Sequence, residues 1–122
     1  MNRDARRRAE ADGRRAETLC VWWLRLRGWR IVARRARMAV GEIDIVTRRG
    51  GTIAFIEVKA RGDLGAAAAS ISATQRGRLE RAAAAFLAGH PELAALAPRF
   101  DVMLVAGWRL PVHIANAWHI LR

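Results

Sequence analysis

The sequence predicts an α/β fold in which helices flank a mixed central sheet. Two observations favour it: the elements follow the order α-β-β-β-α-β, and short apolar strands alternate with longer segments rich in alanine, arginine and leucine. Apolar residues make up 52% of the chain and are spread along it, which is enough to build a core. We expect residues 1–122 to form one domain, with residues 1–12 as a basic extension or the start of the first helix.

The first helix is predicted over residues 4–27, a segment without proline that meets Gly28 as a C-terminal stop. Its second half is strongly apolar. Four residues there recur at helical spacing, and we expect them to face the core: Leu19, Trp22, Trp23 and Leu26.

Three strands follow, over residues 29–35, 42–48 and 52–58. The sequence RGG at residues 49–51 supplies the glycines of a tight hairpin turn between the second and the third. Apolar side chains occupy both faces of the third strand. It is therefore predicted to be central and covered on both sides.

The second helix is predicted over residues 73–88, with Ser72 or Thr74 as its N-cap. A fourth strand is predicted over residues 99–106. A fifth, over residues 111–118, would lie at an edge of the sheet.

The net charge of +11 and the pI near 11.8 favour polyanionic partners, nucleic acid before anionic membrane. Genome composition offers another explanation for the arginines. It accounts for the choice of arginine over lysine but not for 22 basic residues against 11 acidic ones.

Cys20 is the only cysteine, so no disulfide can form within the chain and a reducing compartment fits. No apolar run approaches the ~18 residues needed to span a bilayer. We therefore expect a cytoplasmic protein with no membrane partner.

Two carboxylates interrupt the strands of the hairpin. Counting outward from Gly50, Asp44 is six residues back and Glu57 is seven forward, so pairing of the strands would bring the carboxylates together. Carboxylates that approach without a counter-charge repel each other, and burial adds to the cost. A divalent cation removes both penalties, and Mg²⁺ prefers such oxygen ligands while it keeps several waters.

Lys59 follows Glu57 by two residues and is the only lysine, since the other 21 of the 22 basic residues are arginines. An ammonium is compact and its pKa falls on burial, so it can hold or polarise an attacking water, which a guanidinium does poorly. The alternative is structural: Lys59 would form an ion pair with Glu57 or Asp44 that closes the end of the sheet.

The pattern Asp44…Glu57-Val58-Lys59 resembles the PD-(D/E)XK nuclease superfamily, and the element order is similar to its restriction-endonuclease-like α-β-β-β-α-β core. A closer resemblance is to the bacterial YraN family of endonuclease-like proteins. The segments that carry it are AETL in the first helix, GEID…EVKAR in the hairpin, S-x-x-Q-R-x-R-L in the second helix and RFDV in the fourth strand.

This resemblance implies that Asp44 and Glu57 are ligands of Mg²⁺ or Mn²⁺, with the Val58 carbonyl as a third. Lys59 would act on the water or on the scissile phosphate. Glu17 resembles a helix glutamate of archaeal Holliday junction resolvases, which adds a ligand or orients one. The alternative for Glu17 is a solvated helix face.

The chain departs from the pattern at two places. Ile43 stands where the superfamily has a proline, and Gln75-Arg76 stands where this family often has lysine and glutamine. Asp101 in RFDV is expected to brace the fold. Glu42 is expected to support the site as a further acid or to pair with an arginine.

The resemblance and the charge together predict a nucleic-acid-binding protein, with DNA favoured over RNA. The residues expected to contact nucleic acid are Arg34, Arg35, Arg37, Arg61, Gln75, Arg76 and Arg78.

The predicted function is a Mg²⁺-dependent endonuclease that hydrolyses DNA phosphodiesters, with branched or structured DNA as a substrate class. A homodimer would suit a junction cutter. One alternative is a catalytically silent DNA- or RNA-binding adaptor on a nuclease-like scaffold. Another is a structural partner of an acidic protein.

Overall fold

The computed structural model of the chain describes residues 3–60, 72–107 and 109–118. It confirms the α/β fold class and the α-β-β-β-α-β order. The elements are α1 (Arg3–Leu26), β1 (Arg30–Met38), β2 (Gly41–Arg49), β3 (Thr52–Ala60), α2 (Ala73–Ala88), a 3₁₀ turn (Pro91–Leu93), β4 (Ala97–Val105) and β5 (Val112–Trp118). None of the helices in these ranges is long and apolar enough to cross a membrane.

The five strands form one sheet in the order β1-β2-β3-β4-β5. Only β3 and β4 are parallel; the other neighbours are antiparallel, so the sheet is mixed and β5 lies at an edge as predicted. On one face Ile53 and Phe55 of β3 pack with α2, and on the other Ala54 and Ile56 pack with α1. The central, doubly covered position predicted for β3 is therefore confirmed.

The hairpin between β2 and β3 has a two-residue loop, Gly50-Gly51, closed by the pair Arg49 and Thr52. Gly50 has a φ of +58°, in the left-handed region that glycine enters without steric cost. The turn thus sets the register that places Ile45 opposite Ile56.

The apolar face predicted for α1 is wrong in its helical phase. Leu19, Trp22 and Leu26 are 37%, 59% and 79% exposed, and Trp23 is half-buried. The buried face is made of Ala16, Glu17, Cys20, Val21 and Leu24. Both sets repeat at helical spacing because residues 19–24 are apolar on every side of the helix, so periodicity could not choose between them. The observed phase turns Glu17 toward the sheet.

Cys20 lies at the centre of this buried face and is fully inaccessible. Burial raises the pKa of its thiol to about 12, and the negative charges of Asp44 and Glu17 add to the effect. The thiol therefore stays protonated and packs as a small apolar group.

Ser72 is the N-cap of α2, one of the two residues predicted for that position. Its hydroxyl accepts a hydrogen bond from Gln75 N at 3.2 Å, and Gln75 Oε1 accepts one from Ser72 N at 3.0 Å. This capping box satisfies two backbone donors that the helix leaves free. Gln75 thus has a structural role in capping α2. Its contact with nucleic acid stays a prediction.

Asp101 braces β4 against β5, as expected. Its carboxylate accepts two hydrogen bonds from Arg99 (2.9 and 2.8 Å), one from His113 Nε2 (2.7 Å) and one from Asn116 N (2.9 Å). Burial alone would raise the pKa of this carboxyl, but the hydrogen bonds from His113, Arg99 and Asn116 outweigh burial and hold the pKa below its usual value.

The phase of α1 can be tested with two leucines of the same helix. Leu24→Ala should lower the free energy of unfolding by roughly 2 to 5 kcal/mol, because it opens a cavity between α1 and the sheet. Leu26→Ala, the matched control at an exposed position, should change it by less than about 0.5 kcal/mol. Urea unfolding measures both, and equal effects would show that the helix is turned differently.

Candidate functional site

The strands β2 and β3 separate at Asp44. Their last pair at this end is Ile45 with Ile56. Beyond it, Asp44 Oδ2 accepts a hydrogen bond from the backbone N–H of Val58 at 2.8 Å. The Asp44 carboxylate thus takes the place of the backbone carbonyl that would accept this hydrogen bond if β2 and β3 stayed paired. Strand β3 continues to pair with β4 as far as Ala60. The result is a fork in the sheet with an acidic side chain at its base.

Asp44 and Glu57 meet at this fork, as the hairpin count predicted. Burial raises the pKa of Asp44 to about 7, and repulsion from Glu57 is the next largest cause. Glu17 and Glu42 also raise it, while the hydrogen bond from Val58 opposes them. The pKa of Glu57 is raised too, mainly by burial. The negative charge of the carboxylates at the fork is therefore only partly balanced by nearby positive groups and hydrogen-bond donors.

Lys59 is the cation nearest to Glu57, with 3.5 Å between its Nζ and Glu57 Oε1. Its side chain is only 11% exposed. This is one of the ion pairs that the sequence left open as a structural alternative, and it lowers the pKa of Glu57 against the effect of burial. Within the described parts of the chain no ion pair includes Asp44.

Glu17 is 5% exposed, so the solvated helix face considered for it is wrong. Its Oε1 accepts a hydrogen bond from Arg34 Nε at 2.9 Å, and its Oε2 accepts one from Arg35 Nε at 2.6 Å. Consecutive residues of a strand normally point to opposite faces. Arg35 has a φ of +49°, a left-handed conformation that breaks the alternation, and both arginines reach the same carboxylate.

The sequence analysis missed this pairing. It assigned both arginines to nucleic acid alone, and their side chains remain 40% and 43% exposed. Glu17 shares a face of α1 with the apolar residues Cys20, Val21 and Leu24, but the spacing of apolar residues did not distinguish that face from the one predicted. A helix turned on that face places Glu17 against β1, where a buried carboxylate needs basic partners.

An open cleft of about 390 Å³ lies between the first half of α1 and the fork. Its lining includes Glu10, Arg14, Glu17, Arg35, Arg37, Glu42, Asp44 and Val58. Arg37 is highly exposed and lies 3.8 Å from Glu42, which confirms the arginine pairing considered for that glutamate.

The other residues predicted to contact nucleic acid lie on α2. The guanidinium of Arg76 stacks on Trp118 at 5.7 Å, and Arg78 is exposed on the helix turn that approaches Gly41. Arg61 lies outside the described residues. Arg78 and the start of β2 are thus at the same end of the sheet as the fork, whereas Arg76 lies beside the end of β5.

The donors at the fork fit a hard divalent cation. Asp44 and Glu57 provide carboxylate oxygens, and their raised pKa values indicate negative charge that a cation would stabilise. Both oxygens of Glu17 already accept hydrogen bonds from arginines, which favours an orienting role over ligation. Among the described residues, no group of three or more His, Cys, Asp or Glu side chains is arranged to hold a metal ion.

The model of uncharacterised protein family UPF0102, which is the YraN family, matches residues 16–105. The chain belongs to UPF0102. The matched range contains Glu17, Asp44, Glu57 and Lys59, and the family's description assigns it no activity. The resemblance drawn from the sequence motifs is therefore confirmed at the level of the family.

Several UPF0102 proteins are similar over nearly the full chain. One from Paramagnetospirillum magneticum is 50% identical and covers 95% of this chain and 93% of its own length. One from Rhizorhabdus wittichii is 50% identical, with 98% of both chains covered. One from Parvibaculum lavamentivorans is 54% identical over 87% of this chain and 80% of its own.

The raised pKa of Asp44 predicts how stability depends on pH in the presence of a chelator. Below its ordinary pKa of 3.8 the folded and unfolded chains both hold the proton. Between 3.8 and about 7 only the folded chain keeps it, so the free energy of unfolding falls as the pH rises. Asp44→Asn keeps the acceptor for Val58 without the charge, and should raise that free energy by roughly 1 to 3 kcal/mol at pH 8.

Asp101→Asn is the contrasting control. The pKa of Asp101 is lowered, so its ionised form contributes stability that is present at neutral pH and lost only as the pH falls through the folded-state value. This substitution should destabilise at pH 8 by roughly 3 to 5 kcal/mol. Thermal and urea unfolding at pH 4, 6 and 8 separate the two, and equal destabilisation would contradict the account of Asp44.

Proposed function

We propose that this chain is a Mg²⁺- or Mn²⁺-dependent endonuclease that hydrolyses phosphodiester bonds of DNA, with branched or otherwise structured DNA as the first substrate class to test. The observation that supports it best is the pair of largely buried carboxylates, Asp44 and Glu57, held at a fork of the sheet beside the only lysine. Apolar residues would stabilise that position better. Carboxylates whose pKa values are raised by burial and by each other, in an open cleft, are typical of sites that perform chemistry.

In this proposal Asp44 and Glu57 would hold the cation through carboxylate oxygens, with the Val58 carbonyl as a third ligand. Once bound, the cation would polarise the phosphate and lower the pKa of a water molecule. The Lys59 ammonium donates a hydrogen bond to the phosphate oxygen that gains negative charge, or to the attacking water. The water oxygen bonds to phosphorus and gives up one proton to solvent, one phosphorus–oxygen bond to a sugar breaks, and the departing sugar oxygen takes up a proton.

The second part of the proposal concerns the positive charge near the fork. Arg34 and Arg35 are held in position by Glu17 yet keep exposed edges, and Arg37 extends beside them. Arg78 approaches the start of β2 from α2, while Arg76 lies over Trp118 at the end of β5. Contacts from both sides would hold a phosphate backbone across the cleft while carrying no base preference of their own.

Metal binding tests the first part. Calorimetric titration of Mg²⁺ and Mn²⁺ should show binding to the wild type and loss of it in Asp44→Asn, while Glu92→Gln, an exposed acid in the 3₁₀ turn, should leave it unchanged. Since ligation needs the ionised carboxylate and the pKa of Asp44 is about 7, binding at pH 6 should release protons that binding at pH 8 does not. Buffers of different ionisation enthalpy measure this release.

Cleavage tests the chemistry. Duplex, single-stranded, flap and four-way DNA should be incubated with metal and each variant. Lys59→Ala and Lys59→Arg should retain metal binding but cleave the best substrate about 100-fold more slowly or worse. If Lys59→Arg cleaves like the wild type, a compact ammonium is not needed and the role given to Lys59 is wrong.

Salt dependence tests the backbone contacts. The logarithm of the DNA association constant should fall linearly with the logarithm of salt concentration. Arg37→Gln and Arg78→Gln should each reduce the slope by about 1. Arg30→Gln, at the far end of β1, should leave the slope nearly unchanged. Equal losses in all three variants would indicate a response to net charge instead of a defined contact.

A silent nucleic-acid-binding adaptor is the second candidate. The observation in its favour is the Lys59–Glu57 ion pair at 3.5 Å, which already compensates one of the two carboxylates. On this alternative the wild type binds no metal at millimolar concentration but keeps salt-sensitive DNA binding. That result would leave the fork as a structural ion cluster.

A further inference from the structure

A second cleft, of about 350 Å³, lies at the opposite end of the sheet from Asp44. It is bounded by the end of α1, the end of β2, the start of β4 and the first half of β5. The side chains that define it are Trp23, Arg27, Trp29, Arg49, Arg99 and His113, and we call it the arginine–tryptophan cleft. The sequence analysis expected Trp23 to face the core and assigned no role to the other side chains of this cleft.

The guanidinium groups of this cleft are stacked on its indole rings. Arg27 lies 4.4 Å from the Trp23 ring centroid, and Arg49 and Arg99 lie 4.5 and 5.2 Å from that of Trp29. Trp29 is only 4% exposed, so it forms a fixed platform. Stacking uses the faces of the guanidinium groups and leaves the N–H donors at their edges to bind a ligand.

A hydrogen bond to the backbone fixes one of these guanidinium groups, that of Arg49. Arg49 Nη1 donates to the carbonyl oxygen of Arg27 at 3.1 Å, which ties the end of β2 to the end of α1. The donors are thus positioned before a ligand arrives, and less side-chain freedom is lost on binding. Guanidinium edges held in this way match the geometry of phosphate oxygens.

The charge balance of the cleft indicates the kind of anion. The carboxylate of Asp101 pairs with Arg99 at 2.8 Å and accepts a hydrogen bond from His113 at 2.7 Å, so it compensates that side. Within the described residues, no ion pair includes Arg27 or Arg49. The uncompensated charge is therefore close to two. A phosphate monoester carries between about −1.5 and −2 at neutral pH, whereas an internal diester carries only one charge.

The distance between the two clefts suits a nucleic-acid strand. From Glu17 to Arg27 is ten residues of helix, or about 15 Å at 1.5 Å per residue. From Asp44 to Arg49 is five residues of strand, or about 17 Å. Duplex DNA advances 3.4 Å per nucleotide of one strand, so about four to five nucleotides separate the clefts.

We propose that the arginine–tryptophan cleft binds the terminal phosphate of a nucleic-acid strand whose body lies toward the fork. The identity of the strand rests on the proposed function, whereas binding of a phosphate monoester rests on the arginines alone. A free mononucleotide presents the same chemical group, and the experiment must separate the two.

The test uses one short oligonucleotide in three forms: with a 5′-phosphate, with a 3′-phosphate and with hydroxyl groups at both ends. Binding is measured by fluorescence anisotropy in EDTA, where no cleavage takes place. One phosphorylated form should bind the wild type about tenfold more tightly than the hydroxyl form. Arg27→Lys/Arg49→Lys keeps the net charge but removes the two stacked guanidinium groups. It should bring the ratio of the two affinities close to one.

Two controls make the outcome decisive. Arg6→Gln/Arg81→Gln removes two exposed charges elsewhere, and should lower the affinity for all three forms while preserving the ratio. Asp44→Asn should also preserve the affinity ratio. Failure of the nuclease proposal would therefore leave the proposal of a phosphate-binding cleft unaffected. Thermal unfolding of the lysine variant shows whether it is folded. If the double lysine variant is unfolded, the single variant Arg27→Lys is used instead, because it keeps the hydrogen bond from Arg49 to the backbone. It should reduce the ratio of the affinities for the phosphorylated and hydroxyl forms.

Equal binding of the three forms by the wild type would overturn the proposal, and so would a ratio that survives in a folded lysine variant. Adenosine monophosphate and inorganic phosphate are titrated as competitors. Either of them binding as tightly as the phosphorylated strand would assign the cleft to a small anion and overturn the strand-end assignment.

Discussion

The hydrogen bond from Val58 N to Asp44 Oδ2 is the interaction on which the site depends. It replaces one bond of the β2–β3 ladder with a bond to a side chain, and in doing so it ends the pairing of two strands that are otherwise in register from the hairpin onward. An alanine at position 44 would leave that backbone donor without its acceptor. The fork begins where this side-chain acceptor replaces a backbone acceptor, and the cleft lies beside it.

The helix α1 organises the charge on this face of the sheet. It brings Glu17 against the basic strand β1, and its C-terminal end brings Arg27, the residue that follows it, beside Arg49. The acidic groups of the fork therefore lie beside the middle of the helix, and Arg27 and Arg49, which form no ion pair among the described residues, lie beside its C-terminal end. In a chain of net charge +11 this separation is informative, because a general excess of arginine would not by itself produce an acidic site flanked by ordered basic groups.

Much of the fold could be predicted because its signals are local. The Gly50-Gly51 turn fixes the hairpin register, and that register alone brings Asp44 near Glu57. The phase of α1 was not predictable from spacing, because apolar residues surround its second half. The Glu17 pairing with Arg34 and Arg35 depends on that phase and on the left-handed backbone at Arg35, to which the sequence gives no signal. The arginine–tryptophan cleft joins residues from α1, β2, β4 and β5, and only the assembled sheet brings them together.

The burial of Cys20 has a practical consequence. The thiol is the only one in the chain, is sealed between α1 and the sheet, and has a pKa of about 12, so a thiol reagent can reach it only when the helix lifts. Residues of α1 line both clefts. The rate at which an alkylating reagent modifies the Cys20 sulfur therefore measures how often α1 separates from the sheet beside them. Cys20 can thus report the separation of α1 from the sheet without an engineered label.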